Sequence, residues 1–93
     1  MTISEILKSP DTLLVDVRTP PEYQMGHIEG AINIPLDQIP YRYSEIPGLG
    51  SKNVVFYCRS GNRSGQAIAY LRILMIENIY NGGGIDDVAF YLN

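Results

Sequence analysis

The sequence predicts an α/β fold with a small, mostly parallel central sheet of about four to five strands, flanked by helices on both faces. Three observations predict it. Segments with strand character alternate with segments of helical spacing, which is the pattern of a parallel sheet covered on each side. The runs Thr12–Val17 and Val54–Tyr57 are apolar without strict alternation, as in strands buried on both faces. Finally, the second of these runs ends on Cys58, the lone cysteine, and a polar loop with glycine and two arginines then leads into a helix. In an open α/β sheet that carboxyl edge is where ligands bind.

Taken in order, Ile3 is read as the start of a short edge strand and Ser4 as the N-cap of a helical turn through Leu7 and Lys8, ended by Pro10-Asp11. Thr12–Val17 is a strand interrupted by Asp16, whose carboxylate needs partners because unpaired burial is costly. Arg18 lies two residues on and so on the same side of the strand. Thr19-Pro20-Pro21-Glu22 is a helix start, with a threonine cap, prolines in the first turn and an acid near the positive dipole end. That helix ends near Met25-Gly26. His27–Gly30 is a turn, and Ala31–Ile34 a second strand stopped by Pro35. Leu36–Ile39 is read as a turn of helix, whereas the proline-punctuated Pro40–Gly48 resists assignment. After the strand Val54–Tyr57, Gln66–Met75 reads as a helix that buries Ala67, Ile68, Leu71, Leu74 and Met75. Asn78–Asn81 is a last strand, Gly82-Gly83-Gly84 breaks it, and Ile85–Leu92 is a terminal helix with Asp86 and Asp87 in its first turn.

Bulk composition narrows the function. The 93 residues are read as a single domain, 1–93. A net charge of −3, with no run of Lys or Arg, argues against nucleic acid as a partner. Nothing in the chain approaches a membrane span, and Met-Thr-Ile-Ser-Glu lacks the plan of a signal peptide. One cysteine makes no internal disulfide, which suits a reducing cytoplasm, and supplies no zinc cage. No cofactor or metal is implied. Against this acidic background, Arg59 and Arg63 both fall within five positions of Cys58. That local excess suggests that the loop meets an anion.

A thiolate is the nucleophilic form of cysteine, and a free thiol has a pKa of about 8.5. Three features would lower it here: the helix start that follows, the two guanidinium groups, and Gly61, which lets the backbone N–H groups converge. The same donors would cradle an oxyanion or a charged sulfur.

Cys58-Arg59-Ser60-Gly61-Asn62-Arg63-Ser64 closely resembles the active-site loop of the rhodanese-like sulfurtransferases. Asp16-Val17-Arg18 followed by Glu22-Tyr23 resembles that family's D-V-R-x-x-x-E-Y signature. Gly26-His27-Ile28-Glu29-Gly30-Ala31-Ile32-Asn33-Ile34-Pro35 resembles its G-H-I-x-G-A-x-N-I-P segment, and Gly82–Gly84 its last glycine turn. The matches run along nearly the whole chain in the expected order. The resemblance implies a rhodanese-like fold and a sulfurtransferase that moves a sulfane sulfur from thiosulfate, or a related anionic donor, to cyanide or a thiol. Cys58 would carry the persulfide. The N–H groups from Arg59 to Ser64 (Arg59, Ser60, Gly61, Asn62, Arg63, Ser64) would stabilise it, and Arg59 and Arg63 would hold the sulfonate end of the donor. Asp16, Arg18, Glu22 and His27 would form a supporting frame.

The resemblance also reaches dual-specificity phosphatases and arsenate reductases, whose loop is one residue longer, C-x5-R. Here the spacing is C-x4-R, a turn sized for a sulfur rather than a phosphate. Two further readings stay open: a protein-to-protein sulfur relay with little thiosulfate activity, and a non-catalytic interaction module. Individual residues carry alternatives too. Arg59 is either a donor contact or a solvated surface side chain. Arg63 either holds the donor or braces a carboxylate. Arg18 is expected to pair with Glu22 at a helix start, and His27 to fix its own turn by a backbone hydrogen bond. Tyr23, Tyr41 and Tyr43 belong either to the core or to a pocket rim. Many relatives carry a tryptophan after the glycine turn; here Val88 or Phe90 would have to fill that space.

Overall fold

β-Branched and aromatic residues concentrate in the segments that pair. In a computed structural model covering residues 1–93, these are β1 (Leu13–Asp16), β2 (Ile32–Asn33), β3 (Val54–Cys58) and β4 (Ile79–Gly84). They form one parallel sheet in the order β2-β1-β3-β4. The helices are α1 (Ile3–Lys8), α2 (Pro20–Gln24), α3 (Ile39–Arg42), α4 (Asn62–Ile73) and α5 (Ile85–Leu92). None of them is long and apolar enough to cross a membrane.

All five residues of β3 are buried, and their alternation divides the core in two. Val54, Phe56 and Cys58 face Ala67, Ile68 and Leu71 of α4, together with Ile39 and Ile46. Val55 and Tyr57 face the other way, against Ile6 and Leu7 of α1 and Val88 of α5. The sheet is thus covered on both faces. This is why β3 reads as a continuous apolar run rather than an alternating one.

Four local expectations are corrected. Ile3 opens α1 instead of forming an edge strand, and the cap is Thr2, not Ser4. The Thr2 hydroxyl accepts the Glu5 N–H at 3.2 Å while the Glu5 carboxylate takes the Thr2 N–H at 2.9 Å, a reciprocal box that satisfies two free donors. Next, α4 begins at Asn62, four residues before Gln66, because Gly61 adopts φ +96° and turns the chain directly into the helix. A Cβ on Gly61 would sit 3.1 Å from the Gly83 Cα. The helix then stops at Ile73, so Leu74 and Met75 lie on the terminating turn and are exposed rather than buried, Met75 at 85% with φ +64°. Lastly, the glycine run extends β4 instead of breaking it. Phe56 pairs with Asn81 but Tyr57 pairs with Gly83, leaving Gly82 as the extra residue of a bulge. Cβ atoms at Gly82 would lie 2.8 Å from Val55 and 2.9 Å from Val88. Of the two candidates to replace the tryptophan, Val88 is fully buried and Phe90 is exposed. The unassigned Pro40–Gly48 stretch contributes α3 and a 3-10 turn, Tyr43–Glu45, which sink Ile39 and Ile46 into the core.

Candidate active site

Cys58 is the last residue of β3, and the strand's alternation aims its sulfur toward the start of α4. The Gly61 N–H donates to Sγ at 2.9 Å, and the Ser64 hydroxyl oxygen lies 3.5 Å away. Because α4 starts at Asn62, the N–H groups of Asn62, Arg63 and Ser64 belong to its first turn and have no partner four residues back. Burial of the thiol works against its ionisation. A Ser64 hydroxyl turned to donate to the thiolate, with the N–H groups of Ser64, Ser60 and Gly61, outweighs that burial, and the pKa of Cys58 falls below its usual value.

The charged residues around this sulfur pair differently from the sequence expectation. Arg18 does not bind Glu22. Its Nε and Nη2 grip the Asp16 carboxylate at 2.8–3.1 Å, the Arg18 N–H adds a fourth bond at 2.9 Å, and Nη2 also donates to the Gly26 carbonyl at 2.7 Å. Both side chains are buried. Glu22 instead receives the Arg63 guanidinium as a fork, Nη1 to Oε1 at 2.7 Å and Nη2 to Oε2 at 3.1 Å. Of the two roles left open for Arg63, this structure realises the brace: placed on the first turn of α4, its guanidinium reaches the start of α2.

The Glu22 carboxyl is pulled down to about 2, first by Arg63 and then by the Thr19 N–H. A free glutamate titrates near about 4.3. The ion pair therefore stabilises the fold fully above about pH 4.3, and that contribution is lost as the pH falls toward about 2. Glu22→Gln is expected to flatten the stability loss across this window and to cost about 1 kcal/mol at neutral pH. Urea unfolding at stepped pH measures it, and parallel wild-type and variant profiles would dismiss the pair.

Arg59 is exposed and pairs with no carboxylate. It lines a cleft of about 340 Å³ with Arg18, Glu22, Met25, Ile85 and Asp86. Ser60 and Gly61 border a second cleft together with Asn81, Gly83 and Asp87. Asn62 is exposed. His27 fixes its turn, with Nδ1 2.8 Å from the Tyr23 carbonyl and its ring stacked on Tyr23 at 3.6 Å; Tyr23 in turn donates its hydroxyl proton to the Ala31 carbonyl. Tyr41 is exposed, and Tyr43 packs partly buried against the core. One residue that the sequence reading placed on a strand without a role at the site reaches the loop: Asn81 of β4 contacts both Ser64 and Gly61. Its only signal in the sequence is a polar residue immediately before the glycine run.

A thiol held beside converging N–H donors can ionise, attack a soft electrophile and keep a second sulfur charged. The rhodanese-like domain family matches residues 2–91 of this chain. The chain belongs to the rhodanese-like family. It is 56% identical to a sulfurtransferase of Allochromatium vinosum over 61 residues, 66% of this chain and 55% of that protein. It is also 38% identical over 92 residues to a tRNA uridine(34) hydroxylase of Photorhabdus laumondii, covering 94% of this chain but 26% of that protein. The chain thus spans about half and about a quarter of the lengths of these curated relatives. Among solved structures, an E. coli rhodanese with anions superposes with a TM-score of 0.76 at 37% identity, covering 82% of this chain and 89% of that one. Within this rhodanese-like domain, the fold and the family's sulfurtransferase membership follow from those matches.

Proposed function

We propose that this rhodanese-like domain moves a sulfane sulfur from thiosulfate, or a related anionic donor, to cyanide or a small thiol through a persulfide on Cys58. The observation that carries the reading is the sulfur's setting: a buried thiol with the Gly61 N–H on it at 2.9 Å and a lowered pKa, at the start of a helix. The thiolate attacks the outer sulfur of thiosulfate, the S–S bond of the donor breaks, and sulfite leaves with the electron pair. The acceptor's thiolate then attacks the terminal sulfur of Cys58–S–S⁻ and regenerates the Cys58 thiolate. The first-turn N–H groups of α4 suit the charged persulfide. With Arg63 engaged by Glu22, Arg59 is the guanidinium left to meet the donor's sulfonate.

Intact mass after exposure to thiosulfate tests the reading. One added sulfur atom is expected on the wild type and none on Cys58→Ser, with Arg59→Ala loading more slowly at low thiosulfate. No adduct from thiosulfate or polysulfide would sink it.

A second reading, a relay that passes sulfur between proteins, is favoured by Met25. This apolar side chain is 91% exposed on the rim of the Arg59 cleft, a position suited to a protein partner. Ready loading from a protein persulfide with negligible thiosulfate turnover would select the relay.

A further inference from the structure

The Asn81 side chain has three partners. Nδ2 donates to the Gly61 carbonyl at 3.0 Å, while Oδ1 accepts the Gly83 N–H at 2.9 Å and the Ser64 hydroxyl at 2.7 Å. The two backbone partners settle which way the amide points, since a carbonyl must face a donor and an N–H must face an acceptor. Ser64 consequently faces an oxygen that already accepts, and in this contact the hydroxyl is the donor.

A hydroxyl has one proton. Ser64 Oγ also stands 3.5 Å from Cys58 Sγ, and Ser64 is fully buried, so no bulk water can supply a substitute donor. While its proton rests on Asn81, Ser64 can only accept from the sulfur, which suits a protonated thiol: S–H to Oγ, then O–H to Oδ1. A thiolate or persulfide has no proton to give. It gains from Ser64 only when the hydroxyl turns away from Asn81 and donates to sulfur, joining the Gly61 N–H already there. The exposed Asn81 then keeps the Gly83 N–H and can turn to solvent for the rest.

We infer that Asn81 is a positioning residue which competes with Cys58 for the Ser64 proton and thereby sets how readily the cysteine ionises. The inference deepens the sulfur-transfer reading and rests on it for its consequence, though not for its measurement. The test is the pH dependence of Cys58 alkylation by iodoacetamide, which reports the thiolate and needs no sulfur donor. Asn81→Asp keeps the size of the side chain and places a carboxylate opposite the hydroxyl, a stronger acceptor that withholds the proton, at the loss of the Nδ2 bond to the Gly61 carbonyl. Its alkylation midpoint is expected to rise by about one pH unit. In the Ser64→Ala background the through-space effect of the added charge and the lost Nδ2 bond to the Gly61 carbonyl remain, while the competition for the hydroxyl proton is gone, and the rise is expected to shrink to less than about half of that unit. Equal rises in both backgrounds, or no rise in Asn81→Asp alone, would overturn the inference; thermal melts confirm that each variant is folded. Failure of thiosulfate to load Cys58 would strike the sulfur-transfer reading and leave this result standing.

Discussion

Gly84→Ala is expected to displace the Cys58 loop and to slow the proposed loading of sulfur onto Cys58 at least about tenfold, while costing about 1–3 kcal/mol of stability. Gly84 ends β4 and pairs with Cys58 across the sheet. Its backbone, at φ −84° and ψ 163°, is one that alanine adopts freely, so conformational preference is not the obstacle. Space is. An added Cβ would collide with the Arg59 carbonyl oxygen and lie 3.1 Å from the Arg59 carbonyl carbon and 3.3 Å from Asp87 Oδ2. The first two are backbone atoms of the residue next to Cys58, so relief must come from the loop or from drawing β4 away from β3. Either movement shifts the donors around the sulfur. The checks are the thiosulfate loading rate, the alkylation midpoint and the melting temperature. A variant that loads and melts like the wild type would show that the loop is not seated on Gly84.

Asp16→Ala carries the second large effect. The carboxylate is fully buried and takes four bonds from Arg18, whose guanidinium also lies 5.9 Å from the centre of the Tyr57 ring. Removing the acid leaves a buried cation without its counter-charge, a loss of about 3–5 kcal/mol. Typical domains have only about 5–15 kcal/mol in total. Exchanging both partners together, Asp16→Leu with Arg18→Met, removes the stranded charge and is expected to cost less than the single change. Urea unfolding of Asp16→Leu, Arg18→Met and the double variant measures this coupling. A single-variant cost below about 1 kcal/mol would mean that the pair is solvated in solution. The position explains the size of the effect, because Arg18 also holds the Gly26 carbonyl at the end of α2. The same helix carries Glu22, and through it Arg63 of α4.

Much of this was legible along the chain because its causes are local. Apolar runs without alternation identify β1 and β3 as strands covered on both faces, and Thr19 with Glu22 marks the start of α2 through bonds spanning three residues. Cys58 at the end of β3 and the loop that follows it are contiguous, so the thiol and its helix-start donors could be named together. The same holds for His27, whose hydrogen bond reaches back four residues. What the chain could not disclose were the choices among equivalent long-range partners. Two arginines and two acids allow more than one pairing, and only the fold brings Glu22 to Arg63, 41 positions away, while leaving Asp16 to Arg18. The extension of β4 through its glycines depends on bulging Gly82 so that Gly83 and Gly84 can meet Tyr57 and Cys58. Asn81 reaches the loop for the same reason, since β4 adjoins β3 and its side chain lies over Gly61 and Ser64. The sequence by itself determined the order of the paired strands and the place of Cys58 at a strand end before a helix, because hydrophobic periodicity and capping act over a few residues. The tertiary structure alone decided which charge neutralises which, and where the Ser64 proton goes, because those depend on distances between segments that only the packed sheet sets.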